Sequence, residues 1–538
     1  MSFVKHILVC LLPILLFYNS WPPHTLTGFI FVAFIPVLWS VFNFNTGEKK
    51  FPDGYLFASL YLTFFLINFT LTSWVMNAHW GGGLFASLFN ASLMSSVFFL
   101  VYKLKKSYGN KHALIAFPLF WLAFEYLHLN WELTWPWLTL GNVFSNQTDW
   151  IQWYEYTGVL GGSFWVLIIN ALLYLFTAEL LKKQYRFGAL IVATIVFIIP
   201  YVLSKQLTPL LSNPKVNPVQ VVVVQPNYEP HFEKFSTPQS AQFERVEILL
   251  DSVWESNADL IVLPETFITD WIWESRIENA PAIKYMKSWL KNHPNTQILT
   301  GASTGKVLSD SDSLKTTARK SVGGTWYEVF NTALLISPDD PVQIFHKSKL
   351  VPGAEMTPYS SLLKPLLDRF PIELGGAVGN FGVNESIFNL SSHQGLLTPM
   401  ICYESIFGEY VSKFVGKGAG WICIITNDGW WGDTFGHQQH QAYARLRAIE
   451  TRRYVVRSAN TGISSIIRPD GHVEQFLSYD EAGILEATIS QSHLHTFYVR
   501  HGDYIGRLAS FLAIVYLLQL IMHHLNNLGS NAATRLKK

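Results

Sequence analysis

Three segments of this chain end an apolar run on a side chain able to do chemistry. The first is Leu260-Ile-Val-Leu-Pro-Glu265-Thr, the second Ile344-Phe-His-Lys347-Ser-Lys-Leu-Val-Pro352, and the third Pro399-Met-Ile-Cys402-Tyr-Glu404. A thiolate attacks a carbonyl and forms a covalent acyl intermediate. A carboxylate takes the thiol proton and later returns one to a leaving group. An ammonium stabilises the oxyanion of the tetrahedral intermediate. Taken singly, each residue has a plain reading: a solvated strand end, a loop lysine, a small buried hydrophobe. Together they form a constellation for acyl transfer through a thioester, provided the fold brings the three strand ends to one edge of a sheet. The second segment offers both Lys347 and Lys349, and alternation along an extended chain allows both on one face.

The elements that must do this positioning lie in residues 209–498. Short apolar runs of strand length occur at Val219–Val224, Leu260–Leu263, Gln297–Thr300, Ala333–Ile336 and Trp421–Ile425. Helix-patterned polar stretches such as Gln239–Glu255 and Gln438–Thr451 lie between several of them. Buried strands alternating with helices predict an α/β sandwich.

The rest of the chain has a different solvent. Of 538 residues, 49% are hydrophobic, 15% aromatic and only 14% charged, about half the charge of ordinary soluble proteins. Residues 1–208 carry apolar stretches near 4–20, 24–44, 55–76, 83–103, 112–129, 158–181 and 187–204, and another follows at 506–523 within 499–538. Most reach the roughly 17–25 residues that cross a bilayer. The expectation is seven spans, the sandwich domain, and an eighth span. The first run lacks a small-residue cleavage site, since Trp21-Pro22-Pro23 and a second apolar run follow it, so it reads as a retained helix.

Basic residues mark alternate loops: Lys49 and Lys50; Lys103, Lys105, Lys106 and Lys111; Lys182, Lys183 and Arg186; and Arg535, Lys537 and Lys538 at the end. The loop 130–157 has Glu132, Asp149 and Glu155 and no Lys or Arg. The positive-inside rule then puts both termini in the cytoplasm and residues 209–498 outside the inner membrane. A net charge of +1 and no basic stripe argue against nucleic acid as a partner. Three cysteines, widely spaced and without zinc-type His partners, argue against a disulfide framework and a metal site. Cys10 and Cys423 read as buried apolar residues.

The order and context of the three segments resemble the nitrilase superfamily, whose triad is Glu, Lys and Cys. Leu263-Pro264-Glu265 fits the strand-Pro-Glu segment. Phe345–Pro352 fits aromatic-x-Lys-x-x-Leu-Val-Pro, a register that selects Lys347 over Lys349. Cys402-Tyr403-Glu404 fits the nucleophile elbow, and Thr426-Asn427-Asp428-Gly429-Trp430-Trp431-Gly432 fits the Asn-Asp-x-Trp segment. Arg445, Arg447, Ala448, Glu450 and Arg453 fit the helix after it, and Ser458-Ala459-Asn460-Thr461-Gly462 the next strand and turn.

One subfamily carries this domain between a seventh and an eighth span, the apolipoprotein N-acyltransferases. Phe124-Glu125-Tyr126, Trp135-Pro136-Trp137-Leu138 and Tyr156–Ser163 resemble its membrane half, although the aromatic loop also reads as an interfacial belt.

The resemblance implies a multi-pass α-helical membrane domain plus an α/β nitrilase-like α-β-β-α sandwich, extracytoplasmic, in a bacterial inner membrane. It implies that Cys402 takes an acyl chain from a phospholipid, phosphatidylethanolamine, and passes it to the diacylglyceryl-cysteine amine of an apolipoprotein. Glu265 is then base and acid. Lys347 and the backbone near Tyr403 hold the oxyanion, and Glu355 and Glu404 position Lys347 or the thiol. Trp430, Trp431, Phe232 and Phe235 are candidates for the acyl entrance. No metal or other cofactor is expected.

The rival reading is a membrane-tethered amidase or nitrilase-type hydrolase with water as acceptor. Two departures stand out. Val351-Pro352-Gly353-Ala354-Glu355 replaces Val-Pro-Phe-Gly-Glu, and Phe232 and Phe235 stand where a Trp is usual. The sequence assigns no role to the inserts near 303–328 and 371–395.

Overall fold

The apolar runs of the N-terminal region fold as helices. In the computed structural model, which describes residues 3–45, 51–207, 217–251, 258–309, 315–360, 380–384 and 386–536, six helices are long and apolar enough to cross a membrane. They are Asp53–Thr72, Trp80–Tyr108, Asn110–Asn130, Tyr154–Leu181, Gly188–Leu207 and Tyr504–Gly529. The first two expected spans correspond to a helix at Phe3–Ser20 and to a broken segment, a 3-10 turn at Thr27–Phe31 followed by a helix at Ile35–Asn43. Lys49, Lys50, Lys537, Lys538 and parts of both inserts lie outside the described residues, as do the side chains of Cys10 and Arg535.

The break in the second segment leaves backbone groups that lipid cannot satisfy. Buried Asn170 supplies both partners: its Nδ2 donates to the Ile30 carbonyl at 2.9 Å and its Oδ1 accepts from the Phe34 N–H at 2.8 Å. The helix then starts with Pro36 in its first turn, where a missing N–H costs nothing. Glu125 acts similarly on the aromatic loop, accepting from Trp121 Nε1 at 2.9 Å and from the Leu140 N–H at 2.8 Å.

The chain divides into two compact units. One comprises Met1–Ser73, Gly83–Lys205 and Asp503–Lys538; the other comprises Trp74–Gly82 and Gln206–Gly502. A short piece of the N-terminal region thus belongs to the second unit. Its short helix Val75–Ala78 follows Trp74, whose ring packs 4.7 Å from that of Trp431, while Asn77 Nδ2 donates to the Trp431 carbonyl at 2.8 Å.

Among the described residues the second unit has fourteen strands: β1 Pro218–Gln225, β2 Leu260–Val262, β3 Ile268–Trp273, β4 Gln297–Val307, β5 Arg319–Lys320, β6 Trp326–Ile336, β7 Gln343–His346, β8 Leu390–Ser392, β9 Gly395–Ile401, β10 Trp421–Thr426, β11 Val455–Ala459, β12 Ser464–Ile467, β13 Val473–Leu477 and β14 Gly483–Ser490. They form two sheets. The first runs β14-β1-β2-β4-β6-β5, with β3 also on β4 and β7 on β6; the second runs β13-β12-β11-β10-β9-β8. Strands β1, β2 and β4 are parallel, and so are β9, β10 and β11.

Alternation sorts the side chains between two cores. Val219, Val221 and Val223 of β1 pack with Leu397, Ile422, Ile424 and Val456 between the sheets. Val222 and Val224 point the other way, toward Phe243, Val246, Ile283 and Met286 of the helices Gln239–Asp251 and Pro281–Leu290. The expected α-β-β-α sandwich is present. Cys423 is buried in the inter-sheet core, as its strand predicted.

Candidate active site

Asn331 and Lys347 continue the inward rows of the first sheet, while Glu265 and Cys402 sit in turns just past their strands. In β6, Leu335 and Ala333 lie in the inter-sheet core; Asn331, two residues on, projects from the same face where the core gives way to the site. In β7, Phe345 is in that core, so Lys347 shares its face and His346 faces away, 2.6 Å from Glu274. The Lys347 N–H extends the pairing by donating to the Asn331 carbonyl at 2.8 Å. Glu265 follows β2 in a turn that crosses β4 at Gly301. A Cβ there would lie 2.6 Å from the Glu265 Cα, so only glycine allows the approach.

Cys402 follows β9 and opens a 3-10 turn, Cys402–Ile406, with φ of +51°. A left-handed conformation at a non-glycine residue persists only where its surroundings enforce it. Three groups do so. Glu404 Oε2 accepts from the Ile401 N–H at 2.9 Å. Arg447, buried and paired with Glu450, donates to the Ser405 carbonyl at 3.3 Å and also to that of Ile406. His440 Nε2 lies 3.2 Å from the Cys402 carbonyl and 3.0 Å from Ser405 Oγ.

Lys347 Nζ is 2.8 Å from Glu355 Oε1 and 3.4 Å from Glu265 Oε1, and all three side chains are nearly buried. Asn331 Nδ2 bridges the same two oxygens, 2.8 Å from Glu265 and 3.0 Å from Glu355. Burial works against the charge on Lys347, but Glu355 and then Glu265 outweigh it and hold its pKa above that of an ordinary lysine. The thiol is pushed the other way. Burial, then the charge of Glu265, raises the Cys402 pKa well above its usual value, with Lys347 opposing. Such a shift favours the neutral thiol, which could act as a nucleophile only with a base beside it.

The supporting residues divide the work. Glu355 touches the Lys347 ammonium, and its second oxygen accepts from the Val351 N–H at 2.8 Å. Gly353 makes that turn with φ of +84°, which a phenylalanine would adopt only under strain. Glu404 hydrogen-bonds neither the Cys402 nor the Lys347 side chain. It holds their backbones, accepting from the Ile401 N–H beside Cys402 and, at 2.7 Å, from the Ser348 N–H beside Lys347, with Tyr410 Oη donating at 2.8 Å. Tyr403 is buried against Phe407, with ring centroids 5.1 Å apart. Lys349 leaves the site: its ammonium lies over the Phe407 ring at 5.0 Å and the Tyr410 ring at 5.8 Å.

Of the four candidate entrance aromatics, Trp430 and Phe235 come together, stacked at 6.2 Å. Phe232 is 84% exposed, with the centroid of the His231 ring 6.0 Å from its own. Trp431 turns elsewhere, onto Trp74 and to within 5.6 Å of His440.

Sequence reasoning missed Asn331, His440, Tyr410 and Lys234. The last is 1% exposed and donates from Nζ to the Glu265 carbonyl at 2.8 Å and to Thr266 Oγ1 at 2.9 Å. Behind the thiol, Asp428 Oδ1 lies 2.9 Å from His440 Nδ1 and accepts from Thr426 Oγ1 at 2.8 Å, while Oδ2 meets the Arg457 guanidinium. Cys402, Asp428 and His440 offer ligand atoms within 4.8 Å of one another. Arg457 reaches both Asp428 and, at 3.1 Å, His440 Nδ1, so the carboxylate is already neutralised and the donor set fits an internal ion-pair network better than a metal. Burial favours the neutral Asp428, but Arg457 and His440 outweigh it and hold the pKa below the ordinary carboxylate range.

A cysteine on a strained elbow, grouped with a glutamate and a lysine at the edge of an α-β-β-α sandwich, fits a nitrilase-type thiol enzyme. The family model described as carbon-nitrogen hydrolase matches residues 220–497, and one described as the apolipoprotein N-acyltransferase N-terminal domain matches residues 15–172. Apolipoprotein N-acyltransferase of Chlorobaculum tepidum is 31% identical over 514 residues, 93% of each chain. That of Geobacter metallireducens is 27% identical over 72% of this chain and 71% of its own, and apolipoprotein N-acyltransferase 1 of Treponema denticola is 26% identical over 97% of both. The chain belongs to the apolipoprotein N-acyltransferase family. It is accordingly an acyltransferase and a multi-pass membrane protein.

Proposed function

We propose that this enzyme moves a fatty acyl chain from a membrane phospholipid, phosphatidylethanolamine, to the α-amino group of a diacylglyceryl-cysteine at an apolipoprotein N-terminus. The observation that carries the chemistry is the convergence of Cys402, Glu265 and Lys347, with Lys347 Nζ 3.4 Å from Glu265 Oε1 and both groups acting on the thiol. Glu265 takes the thiol proton as sulfur attacks the ester carbonyl. The tetrahedral oxyanion is held by Lys347 and the N–H of Tyr403. On collapse, Glu265 returns the proton to the departing lysophospholipid oxygen, leaving an acyl thioester on Cys402. The acceptor amine then attacks, Glu265 takes its proton, and the thiol is restored by that proton as the amide forms.

Both substrates hold acyl chains that leave lipid only at about 0.8 kcal/mol per CH₂. The reading therefore places the site at the outer surface of the inner membrane, with residues 209–498 periplasmic, both termini cytoplasmic, and eight spans in all. Support comes from the alternating basic loops and from the six long apolar helices. Phe235, Trp430 and the exposed Phe232 line the acyl entrance, while Trp431 serves packing.

The test is to incubate the purified protein with acyl-labelled phosphatidylethanolamine and a diacylated lipopeptide. Labelled amide on the peptide is the expected product. Labelled free fatty acid alone would refute the transferase reading in favour of the tethered hydrolase.

A further inference from the structure

The loop from Glu229 to Thr237 is an odd place for a buried cation. Two of its aromatics, Phe232 and Phe235, are 84% and 57% exposed, yet Lys234 between them is 1% exposed. Burying an ammonium is costly unless it is well bonded. Lys234 makes its hydrogen bonds to the peptide of the proposed base and the residue after it, with its ammonium also 5.7 Å from the Phe235 ring centroid. Its Nζ donates to the Glu265 carbonyl and to the Thr266 hydroxyl at 2.8 and 2.9 Å. Thr266 has φ of +49°, so this turn is itself strained and depends on outside support. The loop in turn is held at the Lys234 carbonyl by Gln242 Nε2 at 2.9 Å.

We infer that Lys234 is a positioning residue for Glu265, fixing the strained Glu265–Thr266 turn and placing a positive charge beside the carboxylate. The inference rests on Glu265 being the base, as proposed above, and extends it. Because Lys234 and the exposed aromatics share one loop, it also joins the acyl entrance mechanically to the base. Among the groups acting on this centre, Lys347 and Cys402 neighbour Glu265 directly, Glu355 lies across Asn331, and Asp428 acts on the thiol from behind. Lys234 is the one cation that comes from the entrance loop. Burial brings its pKa down to about 7, with Glu265 opposing. In the acid range the ammonium is therefore charged.

The test is the rate at which iodoacetamide alkylates Cys402, followed by peptide mass across pH in the full-length protein. It needs no lipid substrate. Lys234→Met should slow alkylation at neutral pH by about tenfold or more, since the base is displaced. It should also move the acid limb upward by about half a unit or more, since a carboxylate that loses a neighbouring cation holds its proton more tightly. Thr266→Val, which removes one acceptor and keeps both charges, should slow alkylation less and leave the limb in place. It also serves if Lys234→Met does not fold. A folded Lys234→Met with wild-type rate and limb would overturn the inference, as would a Thr266→Val variant matching wild type where it alone folds. Glu265→Gln separates the two ideas. If it alkylates like wild type, the base assignment itself fails. If it is slow while Lys234→Met is not, only the role of Lys234 fails.

Discussion

Glu404 stands between Cys402 and Lys347 without hydrogen-bonding either side chain. One of its oxygens accepts from the N–H of Ile401, the residue before Cys402, and the other from the N–H of Ser348, the residue after Lys347. The distance from thiol to ammonium is therefore set through one buried carboxylate joining the second sheet to the first. A glutamine cannot replace it, because one of its two groups would be a donor facing a backbone donor. Glu404→Gln should lower thermal stability by about 1–3 kcal/mol, the cost of a buried unmet donor. It should also reduce turnover of labelled phospholipid more than phospholipid binding. Unchanged turnover in the folded variant would remove Glu404 from this role.

The two lysines of the second segment make a sharper pair. Lys347 is held by Glu355 and Glu265, whereas Lys349 covers Phe407 and Tyr410. Lys347→Ala should cost about 100- to 1000-fold in rate, the usual effect of losing an oxyanion donor. Lys349→Ala should cost a small fraction of that and act through stability. Equal losses in a phospholipid turnover assay would undo the assignment.

Cys402→Ala should abolish acyl transfer. Cys423→Ala should retain most of it, since Cys423 only fills the inter-sheet core. Labelled phospholipid supplied without acceptor should leave an acyl group on a Cys402 peptide. A fully active enzyme that never carries label there would rule out the thioester.

Much of this site was legible from strand ends. Glu265, Lys347 and Cys402 each close an apolar run: Glu265 and Cys402 follow parallel strands of the two sheets, and Lys347 follows β7, antiparallel to β6. The partners that tune them were not, because each is joined only through tertiary structure. Asn331 lies 66 residues from Glu265 in sequence, in the middle of a strand whose visible apolar part stops at Ala333. His440 is one of several polar residues on a helix, and nothing in its neighbours points to the Cys402 carbonyl. Lys234 reads as a solvated loop lysine because its burial depends on the Glu265 turn, 31 residues on. The membrane half was legible by length and apolarity. The break at Ile30–Phe34 was not, since Asn170, 136 residues from Phe34, bonds both sides of it.

Asp428 makes stability depend on acid. Its folded pKa is depressed by Arg457 and His440 against the pull of burial, so the native state gains from the ionised form. That gain is complete above the unfolded value of about 3.9 and is lost as pH falls below it. The melting temperature in detergent should therefore drop below about pH 4, as this carboxylate is forced to take a proton. Asp428→Asn should be less stable at neutral pH by about 3–5 kcal/mol, because it leaves Arg457 buried without its counter-charge. It should also lose part of the acid dependence. A variant with the wild-type slope would show that other carboxylates govern acid unfolding.

Transfer and hydrolysis share every catalytic residue, so the choice lies in what reaches the thioester. Water and an amine both attack it, and a transferase must exclude the first until the second arrives. If Phe235, Trp430 and Phe232 line the acyl entrance as proposed, the stacked Phe235 and Trp430 and the exposed Phe232 give it an apolar rim that an acyl chain can cover. With phospholipid alone, fatty acid release should be slow. Adding a diacylated lipopeptide should give rapid amide formation. The same peptide without its lipid should be a poor acceptor, because it loses the burial that brings its amine to Cys402. Replacing both Phe232 and Phe235 by serine should raise the ratio of free fatty acid to amide while acyl-enzyme still forms, since the rim and not the triad has changed. If the double variant keeps the wild-type ratio, water is excluded elsewhere. If wild-type enzyme releases fatty acid as fast without acceptor as it forms amide with it, the site is a hydrolase.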